Sequence, residues 1–93
     1  MYKVYVLYSA KLDQFYRGQT QDLEDRLQRH NSAQEKATAP GIPWKLVWYT
    51  EKSDRSSALD LERKLKNLSR SRLIRLMEKY DDHYPGRGKH PEE

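Results

Sequence analysis

Five side chains in this 93-residue chain have the types and spacing to work together on a phosphate ester. Tyr5 ends the tripeptide Lys3-Val4-Tyr5, and Tyr16 opens Tyr16-Arg17-Gly18 after a gap of ten residues. Arg26 and His30 follow, four residues apart, and Glu62 is a carboxylate set among apolar residues of a later segment. Two phenols, a guanidinium, an imidazole and a lone carboxylate can together cut a phosphodiester with a bound divalent metal.

The flanking sequence says which elements must position them. "YKVYVLYS" (2–9) alternates as a strand, with Tyr2, Val4, Val6 and Tyr8 on one face and Lys3, Tyr5 and Leu7 on the other. "QFYRGQT" (14–20) is its hairpin partner, with Gly18 in the strand itself, where a missing side chain admits a close neighbour. Asp22 or Thr20 caps a helix to about Ala33, with Leu23 and Leu27 inward and Arg26 and His30 on one face. "KATAPGIP" (36–43) is a loop and "WKLVWYTE" (44–51) a third strand. Ser53 or Asp54 caps a second helix with the stripe Ala58, Leu61, Leu65 and Leu68. Ser69 caps a third, packed through Leu73, Leu76, Met77 and Tyr80. Glu62 then borders the buried stripe, where a carboxylate needs a cation or a metal. The expected fold is α+β, a small three-stranded antiparallel sheet with packed helices in the order β-β-α-β-α-α. It occupies residues 1–80, followed by a frayed tail over 81–93.

Composition narrows the function. With no cysteine, a disulfide framework, a thiolate zinc site and a cysteine nucleophile are excluded together. The opening "MYKVYVLYSAK" is too short in apolar run for a signal peptide or spanning helix, so the expectation is a cytoplasmic chain without membrane contact. Net charge is +4, concentrated in 63–79, where Arg63, Lys64, Lys66, Arg70, Arg72, Arg75 and Lys79 face a single acid, Glu78. A one-sided basic block suits the phosphate backbone of DNA, and Arg63, Lys66, Arg70, Arg72 and Arg75 are its expected contacts.

The ordered set of Tyr5, Tyr16, Gly18, Arg26, His30 and Glu62 resembles the GIY-YIG nuclease superfamily over residues 2–80. It is most similar to short stand-alone bacterial members and to the N-terminal incision domain of the excinuclease subunit UvrC. Lys3 stands where the family's first glycine stands, and Arg17 where its second isoleucine does. The late asparagine of larger family enzymes has no match, since Asn67 follows Glu62 by only five residues on the same helix. The resemblance implies a DNA endonuclease in which Glu62 is the sole protein ligand of Mg²⁺ or Mn²⁺. It implies that Tyr5, helped by His30, is the general base, that Tyr16 orients a phosphate oxygen or a water, and that Arg26 clamps the developing charge.

Plainer readings stand beside these. Tyr5 and Tyr16 could be cross-strand packing partners, His30 a helix-end hydrogen bonder, and Arg26 a partner of Asp22. Glu62 could pair with Lys66 one turn on. Trp44 is chiefly a core residue, with base stacking as its alternative, and His83 and His90 in the tail are expected to be inert. At the level of the whole chain, the rivals are a nucleic-acid-binding module with little or no turnover, and an assembly subunit that docks an acidic partner.

Overall fold

The computed structural model of the protein describes residues 1–80; the expected tail over 81–93, with His83 and His90, lies outside the described residues. The elements are β1 (Tyr2–Ser9), β2 (Gln14–Thr20), α1 (Leu23–Asn31), a 3₁₀ turn (Ala39–Gly41), β3 (Trp44–Lys52), α2 (Arg55–Lys66) and α3 (Arg70–Lys79). The sheet is antiparallel throughout in the order β2-β1-β3, so the first strand in the chain is the central one. The expected order of elements is the one found.

Alternation along β1 divides the interior in two. Val4 and Val6 point to one face and join Trp48, Ala58, Leu65, Leu73 and Met77 under α2 and α3. Tyr5 and Leu7 point to the other face, where they meet Trp44, Leu23, Leu27, Leu46 and Tyr49 under α1. A bulge in β3 opposite Val6 and Leu7 makes this possible. It inserts Val47, so Val47 and Trp48 both pack toward α2 and α3 while Leu46 and Trp44 turn to the α1 side. Leu65 and Leu73 are wholly buried, and burial of each stabilises the fold by roughly 1.5–3 kcal/mol.

Side chains fix the helix ends. The Asp22 carboxylate accepts from the Asp25 amide at 3.0 Å, Asp54 from Ser57 at 2.8 Å and Ser69 from Arg72 at 3.3 Å. Thr20 and Ser53 are therefore not the caps. Helix α1 stops at Asn31, two residues short of the expected Ala33. Ala33 takes a left-handed conformation (φ 65°), and the Gln34 amide folds back onto the Arg29 carbonyl at 3.2 Å, closing the last turn. Tyr80 is also placed differently from expectation. It ends α3 as a 56% exposed residue and contributes its carbonyl to the Trp48 indole N–H instead of filling the core.

The β1–β2 turn is tied to the start of α3. Asp13 adopts φ 54°, which Asp tolerates better than most residues, and its side chain accepts from the Tyr8 hydroxyl at 2.6 Å and from Arg70 at 2.7 Å. Arg70 also donates to the Asp13 carbonyl at 3.1 Å and lies over the Phe15 ring. These contacts hold the hairpin that carries Tyr5 and Tyr16 against the helical layer.

Candidate active site

Tyr5 stands at the middle of the central strand, paired with Gly18 on β2 and Tyr49 on β3. Its ring lies flat enough over Gly18 that a Cβ there would fall 2.6 Å from the hydroxyl and 2.8 Å from the ring carbon bearing it. The glycine thus makes room for a functional group, and the missing side chain is a steric requirement. Tyr16, two residues before it, projects to the same face with its ring 6.2 Å from that of Tyr5 and 4.8 Å from His30. Between them, Arg17 points to the opposite face and donates to the Leu68 carbonyl at 3.4 Å, just past the end of α2. An arginine fits the isoleucine position because its head reaches an acceptor at that helix end.

Helix α1 presents Leu23, Leu27 and His30 to the sheet along one stripe, with Arg26 between them. His30 is buried and bonded on both ring nitrogens, with Nε2 3.1 Å from the Tyr5 hydroxyl and Nδ1 2.9 Å from Thr38 Oγ1. On this helix it is Arg29, not Arg26, that is seen to pair with an acid, Asp25 at 3.1 Å. Arg26 lies beside Tyr5, close enough to oppose the rise in that phenol's pKa.

Glu62 arrives from α2 on the flank of the buried stripe facing the hairpin. Its side chain is 16% exposed, and it is held by Lys66 at 2.8 Å, as i, i+4 spacing allows. Its negative charge is also felt at Tyr5. Tyr5, Tyr16, Gly18, Arg26 and His30 are therefore gathered on the α1 side of the sheet, while Glu62 comes from α2, which packs on the other side, and reaches the group through its charge at Tyr5.

The electrostatics decide what Tyr5 can do. Burial pushes its phenol well above the ordinary value of 10.0; Tyr16 adds to this, Arg26 opposes it, and Glu62 adds again. At neutral pH Tyr5 is a protonated phenol. His30 moves the other way: burial lowers it below its ordinary 6.5, against Glu35 and with Arg26. A neutral imidazole thus faces a neutral phenol, and transfer of the phenol proton to the imidazole must be coupled to a proton gained by Tyr5 if a phenolate is not to be left behind.

No group of three His, Asp or Glu side chains gathers among the described residues, so a closed metal cage is not built here. A single partly exposed carboxylate fits magnesium, which commonly takes one or two protein carboxylates and keeps waters and substrate phosphate as its other ligands. Lys66, itself 56% exposed, already stands as a cation on that carboxylate and can swing aside.

The basic block is divided by its partners. Lys66 is on Glu62, Arg70 on Asp13, and Arg63 on Asp60 at 3.5 Å. Arg72 and Arg75 instead line a groove of about 510 Å³ with Lys64, Lys79, Leu68, Leu76 and Tyr80, on the flank of α2 away from Glu62. Trp44 is 6% exposed and donates to the Thr38 carbonyl, which leaves no face for a stacked base. Two residues at the site escape a reading of the sequence. Thr38 gives no signal because it sits in a polar loop, and Asn31, which grips the backbone of Trp44 at 2.6 and 2.9 Å, looks like any helix-end asparagine.

An antiparallel three-stranded α+β domain with a phenol pair over a glycine, an arginine and histidine on the next helix and a carboxylate on a later one defines a nuclease-family module. The GIY-YIG catalytic domain family matches residues 1–80, and the chain belongs to that family. Its fold is similar to the solution NMR structure of the UPF0213 protein BH0048 from Bacillus halodurans. The two are 29% identical, with 86% of each chain covered and a TM-score of 0.57. No curated protein matches the chain. Membership of a nuclease family implies nucleic-acid binding, and no helix among the described residues is long and apolar enough to cross a membrane.

Proposed function

We propose that this domain hydrolyses phosphodiester bonds in DNA, with Glu62 as the only protein ligand of Mg²⁺ or Mn²⁺. The observation that carries the reading is the Tyr5 hydroxyl 3.1 Å from His30 Nε2, lying over Gly18 and within electrostatic reach of both Arg26 and Glu62. A phenol held so far above its ordinary pKa is a poor standing base, but it can take a proton from water as it gives its own to the imidazole. Tyr16, half-buried beside it, orients a phosphate oxygen or the attacking water. The planar donors of Arg26 hold the charge that builds on the phosphate. Held by Glu62, the metal would polarise the phosphate and favour departure of the 3′-oxygen. Arg72 and Arg75 contact more distant backbone phosphates. The resemblance of Tyr5, Tyr16, Arg26, His30 and Glu62 to the UvrC incision domain makes DNA repair the proposed use, in a cytoplasmic setting.

One observation favours a second reading, a binding module with little turnover: Lys66 competes with any metal for the Glu62 carboxylate. Supercoiled, nicked and branched DNA incubated with the chain, in Mg²⁺, Mn²⁺ or chelator, separates the two. Metal-dependent strand cutting that is lost in Glu62→Ala and reduced about 10²- to 10⁴-fold in Tyr5→Phe is the expected result. Salt-sensitive binding with no cutting on any of the three substrates would establish the binding module instead.

A further inference from the structure

The proposed reaction has Tyr5 give its proton to His30, which requires a lone pair on Nε2 at rest, and what sets that tautomer lies outside the residues that bear on substrate. His30 Nδ1 is 2.9 Å from Thr38 Oγ1, and the same hydroxyl is 3.3 Å from the Glu35 carbonyl. A carbonyl can only accept, and a threonine hydroxyl has a single proton. With that proton directed at Glu35, whose carbonyl also accepts from the Thr38 and Ala39 amides at 3.2 and 3.1 Å, Thr38 meets His30 as an acceptor and the imidazole hydrogen sits on Nδ1. Nε2 then carries a lone pair toward the Tyr5 hydroxyl, and Tyr5 is the donor in their bond.

We infer that Thr38 is a positioning residue that holds His30 in the Nδ1–H tautomer and so makes the imidazole the proton acceptor for Tyr5. This rests on the proposed hydrolytic reading for its use, but not for its geometry. In the reaction, one O–H bond of the attacking water breaks as an O–H bond to Tyr5 forms. The original Tyr5 O–H bond breaks as Nε2–H forms, and His30 becomes imidazolium. Both of its N–H groups then have acceptors already in place, the Tyr5 oxygen and Thr38 Oγ1. In the opposite tautomer Nε2–H would point at Tyr5, and the relay would have no acceptor.

The surroundings keep Thr38 where this role needs it. Thr38 is 3% exposed, and its carbonyl accepts from the Trp44 indole at 2.6 Å and from the Gly41 amide at 3.0 Å. A Cβ at Gly41 would come within 2.5 Å of the Trp44 ring, so only glycine lets the turn close onto the indole. Asn31, the residue after His30, fixes the Trp44 backbone through both its side-chain atoms. The path from His30 through Thr38, Trp44 and Asn31 returns to His30, and this closed ring of contacts makes the loop a rigid backing for the imidazole.

Long-range ¹H–¹⁵N correlation of the histidine rings in the metal-free full chain tests the assignment without any need for activity. His30 is identified among the three histidines by its loss in His30→Gln. The charged and titratable groups facing the ring are Tyr5 and Tyr16 from the strands, Arg26 from its own helix and Glu35 from the segment beyond it, so the spectra are taken at a pH where His30 is neutral. The expected result is Nδ1–H in the wild type and in Thr38→Ser, with a shift toward Nε2–H in Thr38→Val. Nε2–H in the wild type overturns the inference, as does a Thr38→Val ring that keeps Nδ1–H. If Thr38→Val fails to fold, the wild-type and Thr38→Ser spectra still decide. On a cleavable substrate, Thr38→Val should lower kcat about 10- to 100-fold with KM unchanged, and Thr38→Ser should restore it. A wild-type chain that cuts no DNA removes the proposed reaction, while the spectra separately uphold or overturn the tautomer.

Discussion

The two faces of β1 are built from alternate residues of one strand, yet they are held together by different physics. Toward α2 and α3, Val4 and Val6 meet Trp48, Leu65, Leu73 and Met77, an apolar layer that depends on close packing. Toward α1, Tyr5 shares its layer with His30, Thr38 and Tyr16, and the buried polar atoms are satisfied by a chain of directed bonds. The first arrangement tolerates exchange of one apolar side chain for another if volume is kept; the second tolerates changes of volume poorly and changes of chemistry hardly at all. The small domain therefore keeps its apolar packing and its phenol–imidazole pair on opposite sides of one sheet, with Glu62 reaching that pair from the helix on the apolar side.

Substitutions can test that separation. The largest loss of stability is expected for Leu65→Ala on the apolar side, roughly 2–5 kcal/mol by denaturant titration, with the cutting rate per folded molecule close to wild type. A rate that collapsed along with stability would mean the two faces are coupled. Gly18→Ala probes the other side. Its added methyl would meet the Tyr5 hydroxyl at 2.6 Å, so it should destabilise by about 1–3 kcal/mol and also reduce cutting well beyond what the unfolded fraction explains.

The pH dependence is a gentler test. Because burial lowers the His30 pKa, the unfolded chain takes up a proton below its ordinary 6.5 that the folded chain resists. Stability should therefore be steady above that pH and fall as pH drops below it. In His30→Gln that part of the slope should vanish; an identical slope in the variant would show that other groups produce it. The smallest effect is expected far from both faces. Arg72→Gln with Arg75→Gln should flatten the salt dependence of DNA binding by a log–log slope of about 2. Arg70→Gln, already committed to Asp13, should leave that slope nearly unchanged and instead loosen the hairpin turn. Equal slopes for the two sets would mean that the basic block acts as one surface.

What could be read from the sequence follows the range over which each feature is determined. Alternation in β1 is local, so the division between Val4 and Tyr5 is visible in eight consecutive residues. The helical spacing of Arg26 and His30 is equally local. The same holds for Glu62, whose position beside the stripe and pairing with Lys66 both follow from helical geometry. Long-range partners are another matter. A run of cations does not disclose that Arg70 is taken by an aspartate 57 residues earlier, while Arg72 and Arg75 line an open groove. Thr38 is buried only because Trp44 folds back over its loop, and no period marks such a residue. The stop of α1 at Asn31 rests on the left-handed Ala33, at a position where glycine would have announced it.

The central place of β1 in the order β2-β1-β3 has a consequence for motion. Its backbone is bonded on both sides, so its amides should exchange with solvent only through the rarest openings of the domain, whereas β2 has a free edge. Tyr5 thus rides on the slowest part of the protein and Tyr16 on a faster one. If substrates are accommodated by breathing, the hairpin edge should move to meet them, while the phenol that handles the proton keeps still.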